Sequence, residues 1–116
     1  MSNILQKANE HGVYEADIIE ELARRGRSDA SIELCQCEDG FYRYALSMAY
    51  SYGGFCGPIS DHGKGFDTLG AAKEAATQDL LQRFPKASAN EPKSVHDELR
   101  ELRAMIEQGF RQPSLF

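Results

Sequence analysis

No run of apolar residues in this chain of 116 approaches the ~18 that a membrane-spanning helix requires. The opening residues, Met1 to Lys7, lack the basic stretch and long apolar stretch of a secretory signal, so a cytoplasmic location is expected. Cysteine is scarce and odd in number: Cys35, Cys37 and Cys56 argue against a disulfide framework and for free thiols in a reducing compartment. Segments of net positive charge are lacking too. The formal net charge is -5, and acidic side chains equal or outnumber basic ones in residues 1–30, 31–84 and 85–116 alike. Because non-specific nucleic-acid affinity is mostly phosphate neutralisation by Lys and Arg, direct DNA or RNA binding is disfavoured. The run Arg24-Arg25-Gly26-Arg27 is the local exception, and it reads as cations at a helix C-terminus.

What is present suits one ordinary domain. Apolar residues at 41% and charged residues at 27% are globular proportions, and a chain of this length has room for a single core. Tyr14, Ile18 and Leu22, with Ile19 and Ala23 alongside, predict an amphipathic helix over 14–25 that Gly26 stops. Ser2 is placed to cap an earlier short helix through Ala8. From Ser31 the pattern alternates: Ile32, Leu34 and Gln36 point one way and Glu33, Cys35 and Cys37 the other, until Asp39-Gly40 signals a hairpin. A second strand, Phe41 to Tyr52, carries five aromatics. After Gly53-Gly54, the stretch Phe55 to Ile59 reads as a short third strand, at an edge because of Pro58.

Following the polar loop Ser60 to Gly65, Asp67 or Thr68 caps a helix through Phe84, whose stripe is Leu69, Ala72, Ala76, Leu80 and Phe84. Pro85 to Lys93, with two prolines and no large apolar side chain, reads as a linker. Beyond it Ser94-Val95-His96-Asp97 resembles a capping box, and Val95, Leu99, Leu102 and Ile106 follow at heptad-like spacing over 94–109. So short a helix must pack on the domain, pair with another copy as a homodimer, or await a partner. The expected architecture is α+β: an N-terminal helix, a three-stranded antiparallel meander and a packing helix in a core of residues 1–84, then linker 85–93, helix 94–109 and tail 110–116.

Two resemblances follow from these residues. The order helix, three strands, helix over 14–84 resembles the double-stranded-RNA-binding domain. Its helix opens Asp67 to Glu74 with Lys73 beside Glu74, where that family has a basic helix N-terminus, so the resemblance implies architecture and not activity. The last five residues, Gln112-Pro113-Ser114-Leu115-Phe116, resemble the pentapeptide with which bacterial polymerases, repair proteins and some phage or plasmid proteins dock on the DNA sliding clamp. Four of five positions match; Pro113 stands where Leu is usual, a change expected to weaken docking rather than abolish it. Gln, Leu and Phe at three specified positions arise by chance about once in several thousand tries. Two adjacent apolar side chains would enter a hydrophobic pocket while Gln112 makes a polar contact. The competing reading is that Leu115 and Phe116 fold back on the core.

Other constellations are weaker. Cys35, Cys37, Cys56 and His62 could supply four zinc ligands, but their spacing is unlike zinc ribbons or fingers, and buried thiols acting as small hydrophobes fit better. Cys56 with His62 as nucleophile and base lacks a readable oxyanion arrangement. Gly57 to Gly65 has the wrong spacing for a phosphate loop and Gly65 where a hydroxyl is needed. The tyrosine strand could stack nucleobases, although aromatics in a short sheet are more often cross-strand pairs. The sequence therefore predicts a non-enzymatic interaction protein of bacterial, phage or plasmid type, with no catalytic residue, metal or cofactor and with the clamp as partner. A weak single-stranded nucleic-acid binder and a cysteine enzyme are the alternatives.

Overall fold

The structure, a computed structural model, describes residues 7–111, with the side chains of residues 110 and 111 left aside. Its order is β1 (Val13–Tyr14), β2 (Ile18–Arg25), β3 (Ser28–Gln36), β4 (Tyr42–Tyr50), β5 (Gly53–Cys56), β6 (Ile59–Ser60), α1 (Leu69–Gln82) and α2 (Lys93–Arg111). Strands β2-β3-β4-β5 form an antiparallel meander, and β1 pairs with β6 in a separate two-stranded sheet.

The fold is α+β, but not in the expected arrangement. The region 14–25 is strand, not helix, and both described helices come after the sheet. The physical reason lies in the spacing: Tyr14, Ile18 and Leu22 are four apart, a multiple of the strand period and close to one helical turn, so they fit either. The β-branched pair Ile18-Ile19 favours the strand. Gly26 at φ +60 turns a hairpin into β3 instead of ending a helix. The meander has four strands rather than three because of this added strand. The element order that carried the likeness to the double-stranded-RNA-binding domain is thus not the one observed. The expected third strand, Phe55 to Ile59, is also divided. Gly57-Pro58 separates β5 from β6, which leaves the meander to join β1. The early helix expected from Ser2 to Ala8 falls largely outside the described residues, and Lys7 and Ala8 are not helical.

Alternation along β3 sets the layers. Ser28, Ala30, Ile32 and Leu34 are buried beneath the helices, with Leu46 and Met48 of β4 beside them. The β3–β4 turn is built by Gly40 at φ +88 and by Asp39, whose Oδ1 accepts from Phe41 N at 3.0 Å. Helix α1 lies over β4 and β3; Thr68 caps it, accepting from Ala71 N at 3.1 Å. Ala72 and Ala76 are fully buried, letting α1 approach closely enough for Leu80 to bury as well. Helix α2 lies over β2 and β3, and the two helices also touch each other. Val95, Leu99, Leu102 and Ile106 sit in the same buried cluster as Ile32 and Leu80, so one continuous core includes side chains from both sides of residues 85–93.

Candidate functional site

The expected docking residues Gln112, Pro113, Ser114, Leu115 and Phe116 lie outside the described residues. What the structure gives is their mounting. The apolar stripe of α2 faces the sheet, so the side chains that would have paired two copies are buried in the core. Glu101 of the helix ties it to the β2–β3 hairpin through Arg25 Nε at 2.7 Å. Glu98 accepts from Ser51 Oγ at 2.8 Å. Burial pushes the Glu98 carboxyl up, yet the neighbouring Ser28 hydroxyl and the hydrogen bonds from Ser51 outweigh it and hold its pKa below the ordinary value. Ser28 Oγ itself is fully buried and meets no partner in hydrogen-bond geometry.

Of the cysteines, the fold brings two together. Cys35 on the far face of β3 and Cys37, just past the strand's end, have their sulfurs 3.6 Å apart in a small second core with Tyr14, Ala45 and Ile59. Burial pushes the Cys35 thiol up to about 12, with Cys37 adding to the shift. Arg43 lies beside Cys37, donating to Gly63 O at 2.9 Å and through both terminal nitrogens to Asp39. That pairing holds Asp39 below the usual carboxylate value. Cys56 stands apart and exposed: Cys35 is in register with Arg43 and Cys56 with Ser47, four residues, ~13 Å, further along β4. The His62 ring is in solvent, 3.6 Å from Asp61 Oδ1. Among the described residues no group of three or more His, Cys, Asp or Glu is placed to hold a metal ion.

The tyrosine strand is partly consumed by packing. Tyr42, Tyr44 and Tyr50 pack against the main core. Tyr44 stacks on Phe66 at 6.0 Å and donates to Asp79 Oδ2 at 2.8 Å, and burial followed by that carboxylate raises its pKa to about 12. Burial raises Asp79 itself, but the hydrogen bonds from Arg83 and Tyr44 outweigh it and keep the carboxyl below its ordinary value.

A cleft of about 420 Å³ that no pattern in the sequence announces lies where α1 ends against α2. Its floor is Phe84 and Leu99; Lys86, His96, Arg100 and Arg103 line it, and no acidic residue does. Arg103 lies over the Phe84 ring at 5.7 Å and donates to Leu81 O at 2.8 Å, while His96 Nε2 is 2.9 Å from Ser88 O. Chemically this suits an anionic group carried on an apolar one. The only signal in the sequence was Arg100 and Arg103 flanking the α2 stripe; Lys86 and Phe84 join them through tertiary packing, which spacing does not encode. A second cleft, of about 430 Å³, is lined by Arg25, Arg27, Ser51, Ser94, Glu98 and Glu101, a set whose charges largely cancel.

No helix among the described residues is long and apolar enough to cross a membrane. The chain matches no protein-family model, no curated protein and no solved structure.

Proposed function

We propose that this chain is a non-enzymatic interaction protein of bacterial, phage or plasmid type that docks on the DNA sliding clamp through Gln112-Pro113-Ser114-Leu115-Phe116. The observation that carries the reading is the pentapeptide itself, which agrees with the clamp-docking pattern at four of five positions. Among the side chains described, the last buried one of α2 is Ile106, and the helix backbone runs on five residues, ~7.5 Å, to Arg111. Leu115 and Phe116 would supply the apolar anchors, Gln112 the polar contact at a second subsite, and Pro113 would reduce the entropy lost on docking.

Calorimetry of the full chain against a purified bacterial sliding clamp tests this. The expected dissociation constant is micromolar, roughly -7 to -8 kcal/mol. The double variant Leu115→Ala/Phe116→Ala should weaken binding by at least ~2 kcal/mol, as for hot-spot anchors, with an unchanged melting temperature. Absence of binding by the full chain, or equal binding by the double variant, contradicts the proposal. A double variant that melts several degrees lower assigns those two side chains to the fold.

A further inference from the structure

The meander ends in a long free edge. Strand β2 spans eight residues and, among the described residues, is hydrogen-bonded only to β3 in its sheet. An edge strand of that length presents a row of backbone donors and acceptors, which proteins usually guard with charges that repel a second copy. Here the charges are arranged the other way. The last six residues of β2 are Glu20-Glu21-Leu22-Ala23-Arg24-Arg25, so a second β2 laid antiparallel about the Leu22–Ala23 midpoint sets Glu20 opposite Arg25 and Glu21 opposite Arg24, four ion pairs in all.

The pairing requires that the opposed side chains share a face, and in a regular strand residues five or three apart do not. The β2 strand is not regular. Glu21 is in register with Ser31 and Ala23 with Ala30, leaving Leu22 as the extra residue of a bulge. Past the bulge the faces are exchanged. Glu20 and Arg25 both reach the helix side, where they contact Lys73 and Glu101, while Glu21 and Arg24 contact each other, and Arg24 reaches Asp29, on the far side. All four side chains are between 43% and 59% exposed, so they are free to exchange intramolecular pairs of small net worth for cross-strand ones. Ile19, 70% exposed on the same strand, falls opposite Gly26 of the second copy and diagonally beside its Arg24.

We infer that β2 is a self-association edge, joining two copies of the chain into one eight-stranded sheet with the helices of both on one face. The α2 stripe is not available for this, being spent on the core.

Sedimentation of the full chain tests the inference. At low salt and about 100 μM the mass should be twice that of the chain and should fall towards one chain as salt is raised, because the pairs are solvent-exposed. The variants Glu20→Lys/Glu21→Lys and Arg24→Glu/Arg25→Glu, each checked for a cooperative melt, should be monomeric alone and should form a one-to-one heterodimer when mixed, since mixing restores every pair. If either variant fails to fold, Ile19→Lys, a change at the edge that leaves the buried core untouched, should lower association in the same assay. The variant Leu115→Ala/Phe116→Ala should associate like the unaltered chain, which separates this edge from the docking tail. A chain that stays monomeric at low salt overturns the inference, as does a dimer that survives charge reversal or a mixture of folded variants that remains monomeric.

Discussion

The two faces of the meander are built to different standards. Under the helices, Ile32, Leu34, Leu46 and Met48 meet Leu80, Leu99, Leu102 and Ile106, and large aliphatic side chains interlock from the sheet and both helices. On the far face, cover among the described residues comes from the two-residue strands β1 and β6 with Ala8 and Ala16 beside them, and the filling is small: two thiols, Ala45, Tyr14 and one large aliphatic, Ile59. The rest of that face, including Ser31, Glu33, Ser47 and Ala49, is half-buried or exposed. A sheet recruits large side chains only where an element long enough to cover them exists, and β1 and β6 are too short for that. The helix face should therefore carry most of the stability and the far face little of it.

The largest break in this contrast is to remove a cover. A chain ending at Phe84 would lose Val95, Leu99, Leu102 and Ile106 from the core and expose the sheet surface beneath α2, so it is expected to lose its cooperative thermal transition altogether. Next come point changes on the two faces. Leu102→Ala or Leu80→Ala should cost about 2–5 kcal/mol in denaturant unfolding, and Ile59→Ala should fall at the lower end of that range or below it, because its thin cover collapses more readily. Equal losses on both faces would contradict the contrast. Thr68→Ala, which removes the α1 cap, should cost about 1 kcal/mol.

Smaller effects sharpen the picture of each face. Under native conditions near pH 8 a thiol reagent should modify Cys56 promptly, whereas Cys35 and Cys37 should react only through opening of the far-face cluster. Labelling read by mass spectrometry gives one fast and two slow sites, and three fast sites would mean that β1 and β6 do not close. On the helix face, Tyr44 is held neutral: its pKa is raised from 10.0 to about 12. A raised folded value means that its contribution is complete below pH 10 and disappears as pH climbs through about 12. Tyr44→Phe should accordingly flatten the loss of stability over that interval. Asp79 runs in the opposite sense, contributing above the ordinary carboxylate pKa and less as pH falls through its lowered folded value.

These contrasts also explain what could be read from the chain alone. The β3 alternation, the Asp39-Gly40 turn and the stripe of α1 are local patterns, and each residue's burial follows from its immediate neighbours. The region 14–25 was misread because its apolar residues are four apart, a spacing that fits both periods, and because Gly26 ends helices and turns hairpins equally well. The heptad-like stripe of α2 was visible, but whether it faces a core or a second copy depends on an exposed apolar surface on β2 and β3 that no local pattern reports. The cleft formed by Phe84, Lys86, His96, Arg100 and Arg103 was invisible for the same reason. The self-complementary charge of β2 stood in plain view in the sequence, yet it acquires meaning only when 18–25 is an edge strand with a bulge at Leu22.

The proposed function divides the labour: the described residues through Ile106 build the core, and the pentapeptide beyond Arg111 would make the contact with the clamp. Hydrogen exchange of the full chain, read peptide by peptide with and without saturating bacterial clamp, tests both halves at once. The account predicts strong protection of 99–106 in either state, matching that of β3 and β4, and a gain of protection on adding clamp that is confined to 110–116. A helix α2 that exchanges as fast as an isolated helix, or clamp-induced protection that falls on the sheet or the helices instead of the tail, would contradict it.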